Sequence, residues 1–152
     1  MDIELKLEPG RKEPKLVVLA GEDSPRVQTL LRELQAMTCS PVSVWQGERS
    51  VILPQHEFLR FYTENKGVSA QTKDGVFETK LRLYELEELL DPQRFVRISN
   101  SEIVNFRRVT AVDLSMTGTI CMTLEGGIKT YVSRRYVKKI KETLKSKGRN
   151  RP

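Results

Sequence analysis

Arg134 and Arg135 follow Ser133 at the start of a periodic apolar segment. Positive charge in a first helical turn opposes the macrodipole and is mildly unfavourable. Selection for helix stability alone would favour Asp or Glu there. An incoming anion removes the conflict, because the N–H groups of a helix start and arginine forks both bind phosphate. Arginine can also grip a guanine edge through two hydrogen bonds, as asparagine can an adenine edge. Residues 134–151 hold nine Lys or Arg against the single acid Glu142, so they carry +8, and the rest −2, of a net +6. A basic end on a nearly neutral body is the footprint of a polyanion binder. The simpler reading of the closing "KSKGRNRP" is a solvated end without structure, suited by its Gly, Asn and Pro.

A second polar cluster, Ser99, Asn100 and Ser101, interrupts the apolar stretch "FVRISNSEIVN". The expectation is a strand ending at Ile98, then a short helix capped by Ser99 or Asn100 with Ile103 and Val104 facing inward. Asn105 is expected to cap or bridge backbone. Other chemistry is sparse. His56 is the single histidine, and no Ser or Cys motif accompanies it. There is no Gly-Lys-Ser/Thr phosphate loop, and "EGG" reads as a turn. Cys39 and Cys121 offer neither a disulfide framework nor metal-ligand spacing and read as small buried hydrophobes. The chain is therefore read as no enzyme, with no cofactor and no metal.

The elements that must position these residues can be placed along the chain. Residues 3–7 and 16–20 read as short strands around the turn-forming "EPGRKEP". Ser24 is a good N-cap and Pro25 a good first helical residue, and Val27, Leu30, Leu31, Leu34 and Met37 form one apolar stripe. Residues 1–40 thus read as a small β-β-α appendage, too short for a phosphoacceptor receiver and able to serve dimerisation. Strands follow: "VSVWQ" and "SVILP" around "GER", then "EFLRFYTE", then "GVSAQT" and "VFETK" joined by "KDG". Trp45, Phe58, Phe61 and Tyr62 follow the strand alternation and are expected in the core. A helix fits 81–90, stopped by "DPQ". A meander over 109–116, 119–124 and 128–132 precedes a last helix that carries Tyr136, Val137, Ile140 and Leu144 inward.

No run of 18 apolar residues exists, and the N-terminus lacks the apolar centre of a signal peptide. These features predict a soluble, cytoplasmic protein without membrane insertion. From charge and spacing, nucleic-acid binding leads. A protein-interaction module with a basic tail and an RNA-binding protein are the alternatives.

The helix "YELEELL", the strand Phe-Val-Arg, the polar cluster before "IVN", a Gly-containing turn and "VSRRYVKKI", in that order, resemble the LytTR family of bacterial DNA-binding transcription regulators. The likeness spans about residues 42–145. It implies a mostly β (α+β) domain of small packed antiparallel sheets with short helices over 42–146; composition makes 147–152 a basic, disordered tail. It also implies recognition of direct repeats in promoter double-stranded DNA by loops in successive major grooves. Carried over by position, Asn100 and Arg135 are base contacts, and the loop "TENKG" offers Asn65 and Lys66 as a third. Ser99, Ser101, Arg134, Lys138 and Lys139 are candidate phosphate contacts, which position rather than specify. The resemblance further implies a homodimer at least on DNA, and a restraining membrane protein as a possible partner.

Overall fold

A strand sends successive side chains to opposite faces, so the alternation of "VSVWQ" suits a sheet that buries one face and the adjacent apolar residues of "FLRFYTE" suit one that buries both. A computed structural model describes residues 1–12 and 14–149. Two compact units divide the chain, Met1–Gln35 and Ala36–Pro152.

The larger unit holds two antiparallel sheets. Strands β1 (Val42–Gln46), β2 (Arg49–Leu53), β3 (Phe58–Glu64), β4 (Gly67–Thr72), β5 (Gly75–Thr79), β6 (Phe95–Ser99) and β7 (Glu102–Asn105) form one, in the order β2-β1-β5-β4-β3-β7-β6. Strands β8 (Val109–Asp113), β9 (Ile120–Leu124) and β10 (Ile128–Val132) form the other, in the order β10-β9-β8. Helix α1 (Pro25–Thr38) comes before the strands, α2 (Leu83–Leu89) lies between β5 and β6, and α3 (Arg134–Arg149) follows β10. This mostly β architecture is the expected fold class.

Two hydrophobic cores explain why adjacent residues of β6 and β7, Phe95 with Val96 and Ile103 with Val104, are both apolar. Phe58, Phe61, Val68, Phe95 and Ile103 pack with Leu83, Leu86 and Leu90 around α2. Leu59, Val96 and Val104, the chain neighbours of Phe58, Phe95 and Ile103, turn the other way with Ile98 onto Ile120, Met122, Leu124, Val132 and Ile140. Strands β3, β6 and β7 are therefore covered on both faces, by α2 on one side and by the small sheet and α3 on the other. Asn105 is fully buried between them. Its Nδ2 donates to the Phe58 carbonyl (2.9 Å) and its Oδ1 accepts from Arg107 N (3.1 Å), the backbone bridge expected of it.

Several expectations are corrected. Among the described residues, 3–7 and 16–20 form no strand, and of their apolar side chains Ile3, Leu5, Leu7, Leu16, Val17 and Leu19 are exposed. Two short strands without a covering layer do not hold together alone. Helix α1 does form, and the Ser24 hydroxyl accepts from Val27 N at 3.3 Å as a cap. Trp45 and Tyr62 are half-buried rather than core, with Lys80 Nζ 3.9 Å and the Arg60 guanidinium carbon 4.3 Å from the respective ring centroids. Both cysteines are half-buried. Helix α3 runs through Arg149, so 147–149 are helical rather than an unstructured tail, and 150–152 lie outside the described residues. Extending an existing helix costs little, and cations suit its C-terminal end.

Candidate nucleic-acid interface

The β3–β4 connection has two residues, Asn65 and Lys66, at φ 49° and 67°. Both lie in the left-handed region, the combination that a tight hairpin of right-handed twist requires. Among the described residues they are the only non-glycine positions there. Asparagine tolerates this conformation, but a lysine gives up about 1 kcal/mol relative to glycine. The turn thus keeps a long cationic side chain, exposed at its tip, against its own backbone preference.

At the β6–β7 connection the structure differs from the expected capped helix. Strand β6 continues to Ser99 and β7 begins at Glu102, so Asn100 and Ser101 form a hairpin turn. Ile103 and Val104 are buried as expected, but on opposite faces of a strand. Ser and Asn serve caps and turns equally well, and here the pairing of β7 with β3 decides for the turn. The Ser99 hydroxyl accepts from Ser101 N (3.1 Å) and lies 3.2 Å from the Ser101 hydroxyl, so it is engaged inside the turn.

Arg97 holds this turn from behind. Its Nε donates to the Ser99 carbonyl and its Nη2 to the Asn100 carbonyl, both at 2.7 Å. Its Nη1 meets Glu87 of α2 at 2.7 Å. One planar guanidinium therefore ties the carbonyl of the last β6 residue and that of the first turn residue to α2. The sequence reading missed this role. Its signal was a single arginine between two buried strand residues, Val96 and Ile98.

The three elements meet at one end of the large sheet. Strands β3 and β7 run antiparallel with Tyr62 opposite Glu102, which puts turns 65–66 and 100–101 side by side. Thr63 N donates to the Ser101 carbonyl across them at 2.9 Å. The start of α3 joins the same edge through Ser133 N, which donates to the Ile98 carbonyl at 2.9 Å. Tyr136 was expected in the core. Its ring is half-buried against the second core, while its hydroxyl donates to Asn100 Oδ1 at 3.2 Å. That oxygen keeps a second lone pair and the amide keeps its N–H donors.

Helix α3 has no acid in its first turn. Ile140 is fully buried, with Tyr136, Val137 and Leu144 packed beside it. Arg134, Arg135, Lys138 and Lys139 are all exposed on the remaining surface. Gly118 of the β8–β9 loop, at φ 79°, leaves room for the Arg134 side chain, whose Nε would stand 3.2 Å from an added Cβ. Behind the edge lies Glu102, whose side chain is 12% exposed and whose Oε1 is 3.5 Å from Arg60. Burial pushes its carboxyl up from the ordinary value, and the Thr130 hydrogen bond and Arg60 offset this only in part. Its Oε2 has no hydrogen-bond partner among the described residues.

The family model of the LytTr DNA-binding domain matches residues 48–145. The chain belongs to the LytTR family. It is similar to an uncharacterised HTH-type transcriptional regulator of Staphylococcus aureus (strain NCTC 8325 / PS 47), 36% identical over 145 residues that cover 95% of this chain and 98% of that protein. A relative in S. aureus strain MRSA252, with the same description, is 35% identical over the same coverage. Among solved structures, the LytTr DNA-binding domain of a protein described as a methyl-accepting/DNA response regulator from Bacillus cereus has the same fold. Its TM-score is 0.66 at 22% identity, over 69% of this chain and 96% of that one. The edge formed by turns 65–66 and 100–101 and by the start of α3 lies within the matched LytTR region.

Proposed function

We propose that this DNA-binding transcription regulator reads double-stranded DNA through that edge. Asn100 and Arg135 contact bases, and Asn65 and Lys66 reach the duplex from the neighbouring turn. Arg134, Lys138 and Lys139 take phosphates, with Ser101 and Ser99 at the margin of the turn. The observation that carries the reading is the convergence of two tight turns with a helix start bearing two arginines, braced by the Tyr136–Asn100 and Arg97 hydrogen bonds. Recognition needs side chains held by a rigid support, which this edge supplies. Helices α2 and α3 are separated by five strands, so turns and a helix end, rather than a helix pair, face the groove. Two protomers side by side on a direct repeat follow from one edge reading one half-site. Promoter binding places the protein in the cytoplasm, and among the described residues no helix is long and apolar enough to cross a membrane.

Selection of bound duplexes from a random pool at fixed salt tests this, and a repeated half-site is expected. Arg135→Ala should then cost about 1–3 kcal/mol on the selected site and relax preference at one base position. Lys138→Ala should weaken all duplexes alike and flatten the salt dependence. Equal loss on selected and scrambled duplexes for Arg135→Ala would remove it from base reading.

A further inference from the structure

The first residues of the chain carry half a sheet. Ile3, Leu5 and Leu7 alternate with Asp2, Glu4, Lys6 and Glu8, and the three apolar side chains are 97%, 83% and 79% exposed. Leu16, Val17 and Leu19 are 66%, 65% and 91% exposed. No described residue in the unit Met1–Gln35 is buried, although Val27, Leu30, Leu31 and Leu34 of α1 form an apolar stripe. One turn is set: Arg11 N donates to the Glu8 carbonyl at 3.2 Å, and its guanidinium bonds the Glu8 carboxylate at 2.9 and 3.0 Å. The segment therefore has strand patterning and a turn, but no ladder and no core.

We propose that residues 2–8 pair antiparallel with the same residues of a second copy, making a two-fold dimer. The sequence is self-complementary in that register. With Leu5 on the axis, Ile3 of one copy lies opposite Leu7 of the other, and Glu4 opposite Lys6, each pair occurring twice. Opposite charges and apolar pairs directly across a ladder both stabilise it. The one like-charged pair, Asp2 with Glu8, is relieved because Arg11 already neutralises Glu8. Residues 16–20 of each copy extend the sheet to four strands, and α1 of each copy supplies the cover that such a sheet requires. A stable interface uses roughly 20–30 residues a side, within the 35 of this unit. The acidic excess of residues 2–8, three acids against Lys6, fits a second copy and disfavours nucleic acid or an anionic membrane.

Sedimentation velocity on the full chain without DNA, up to on the order of 100 µM, tests this separately from the reading of the DNA edge. A monomer–dimer equilibrium is expected. Leu5→Glu and Glu4→Lys should each raise the dimer dissociation constant roughly tenfold or more. The charge exchange Glu4→Lys with Lys6→Glu should return it to the original value, with the melting of the larger unit unchanged throughout. A monomer at every concentration overturns the proposal, as does a dimer indifferent to Leu5→Glu or a double exchange no better than Glu4→Lys.

Discussion

Replacing Arg97 by alanine removes its contacts to the Ser99 and Asn100 carbonyls and its tie to Glu87 in one step. The three hydrogen bonds are each 2.7 Å, and the side chain is only 16% exposed. Hydrogen bonds to a charged group contribute about 1.5–3 kcal/mol each when buried. Here the turn lies at the surface, so water re-solvates the two carbonyls and the exposed Glu87 carboxylate. Most of that energy is recovered, which leaves about 1–2 kcal/mol of lost stability. The larger effect is on recognition. Ladder pairing still holds β6 and β7, but the backbone of Asn100 regains freedom that binding must remove again. Fixing one residue costs about 1–2 kcal/mol, so affinity for the selected duplex should fall about 5- to 30-fold. Arg97→Lys should behave almost like alanine, because an ammonium cannot fork between two carbonyls. Fluorescence anisotropy on selected and scrambled duplexes, repeated over a salt series, is the assay. Discrimination should drop while the slope against log salt stays unchanged, since Arg97 neutralises no phosphate. A flattened slope with equal loss on both duplexes would refute the reasoning and make Arg97 a phosphate contact.

Three further outcomes follow from the same structure. Lys66→Gly relieves a left-handed lysine and should stabilise the domain by about 0.5–1 kcal/mol, visible as a raised Tm, while weakening duplex binding. A lowered Tm would mean that the turn carries no such strain. Burial raises the Glu102 carboxyl pKa above its unfolded value, so the stability it contributes is full below the unfolded value and is lost as pH rises through the folded one. Glu102→Gln should therefore melt above the unaltered protein at pH 7, with the gap closing below the ordinary value of 4.5; a lower melt at pH 7 would show that the Arg60 pairing outweighs burial. Asn105→Ala orphans the Phe58 carbonyl and the Arg107 N–H inside the protein and should cost about 2–4 kcal/mol by denaturant titration, with no direct effect on base preference.

What could be read locally was read correctly from local signals. Short apolar and β-branched runs bounded by turn residues mark β1 to β5, Ser24-Pro25 starts α1, and "KDG" and "EGG" end strands, because each signal acts within a few residues. Charge placement along 134–145 is likewise a property of the sequence, and it leaves Arg134, Arg135, Lys138 and Lys139 on the exposed side of α3. The errors fall where a distant partner decides. Ser99, Asn100 and Ser101 suit a cap as well as a turn, and only the pairing of β7 with β3, some forty residues earlier, selects the turn. Residues 3–7 have strand patterning, yet among the described residues they pair with no strand, and patterning alone forms none.

By itself, then, the sequence determined the class of elements, the basic face of the last helix and the family pattern. Tertiary structure alone decided that Arg97 braces the Asn100 turn through Glu87, ten residues away, and that Tyr136 reaches Asn100 across thirty-six. The physical reason is range. Propensity, capping and charge act within a turn or two of chain, whereas a hydrogen bond depends on which surfaces the two cores bring together.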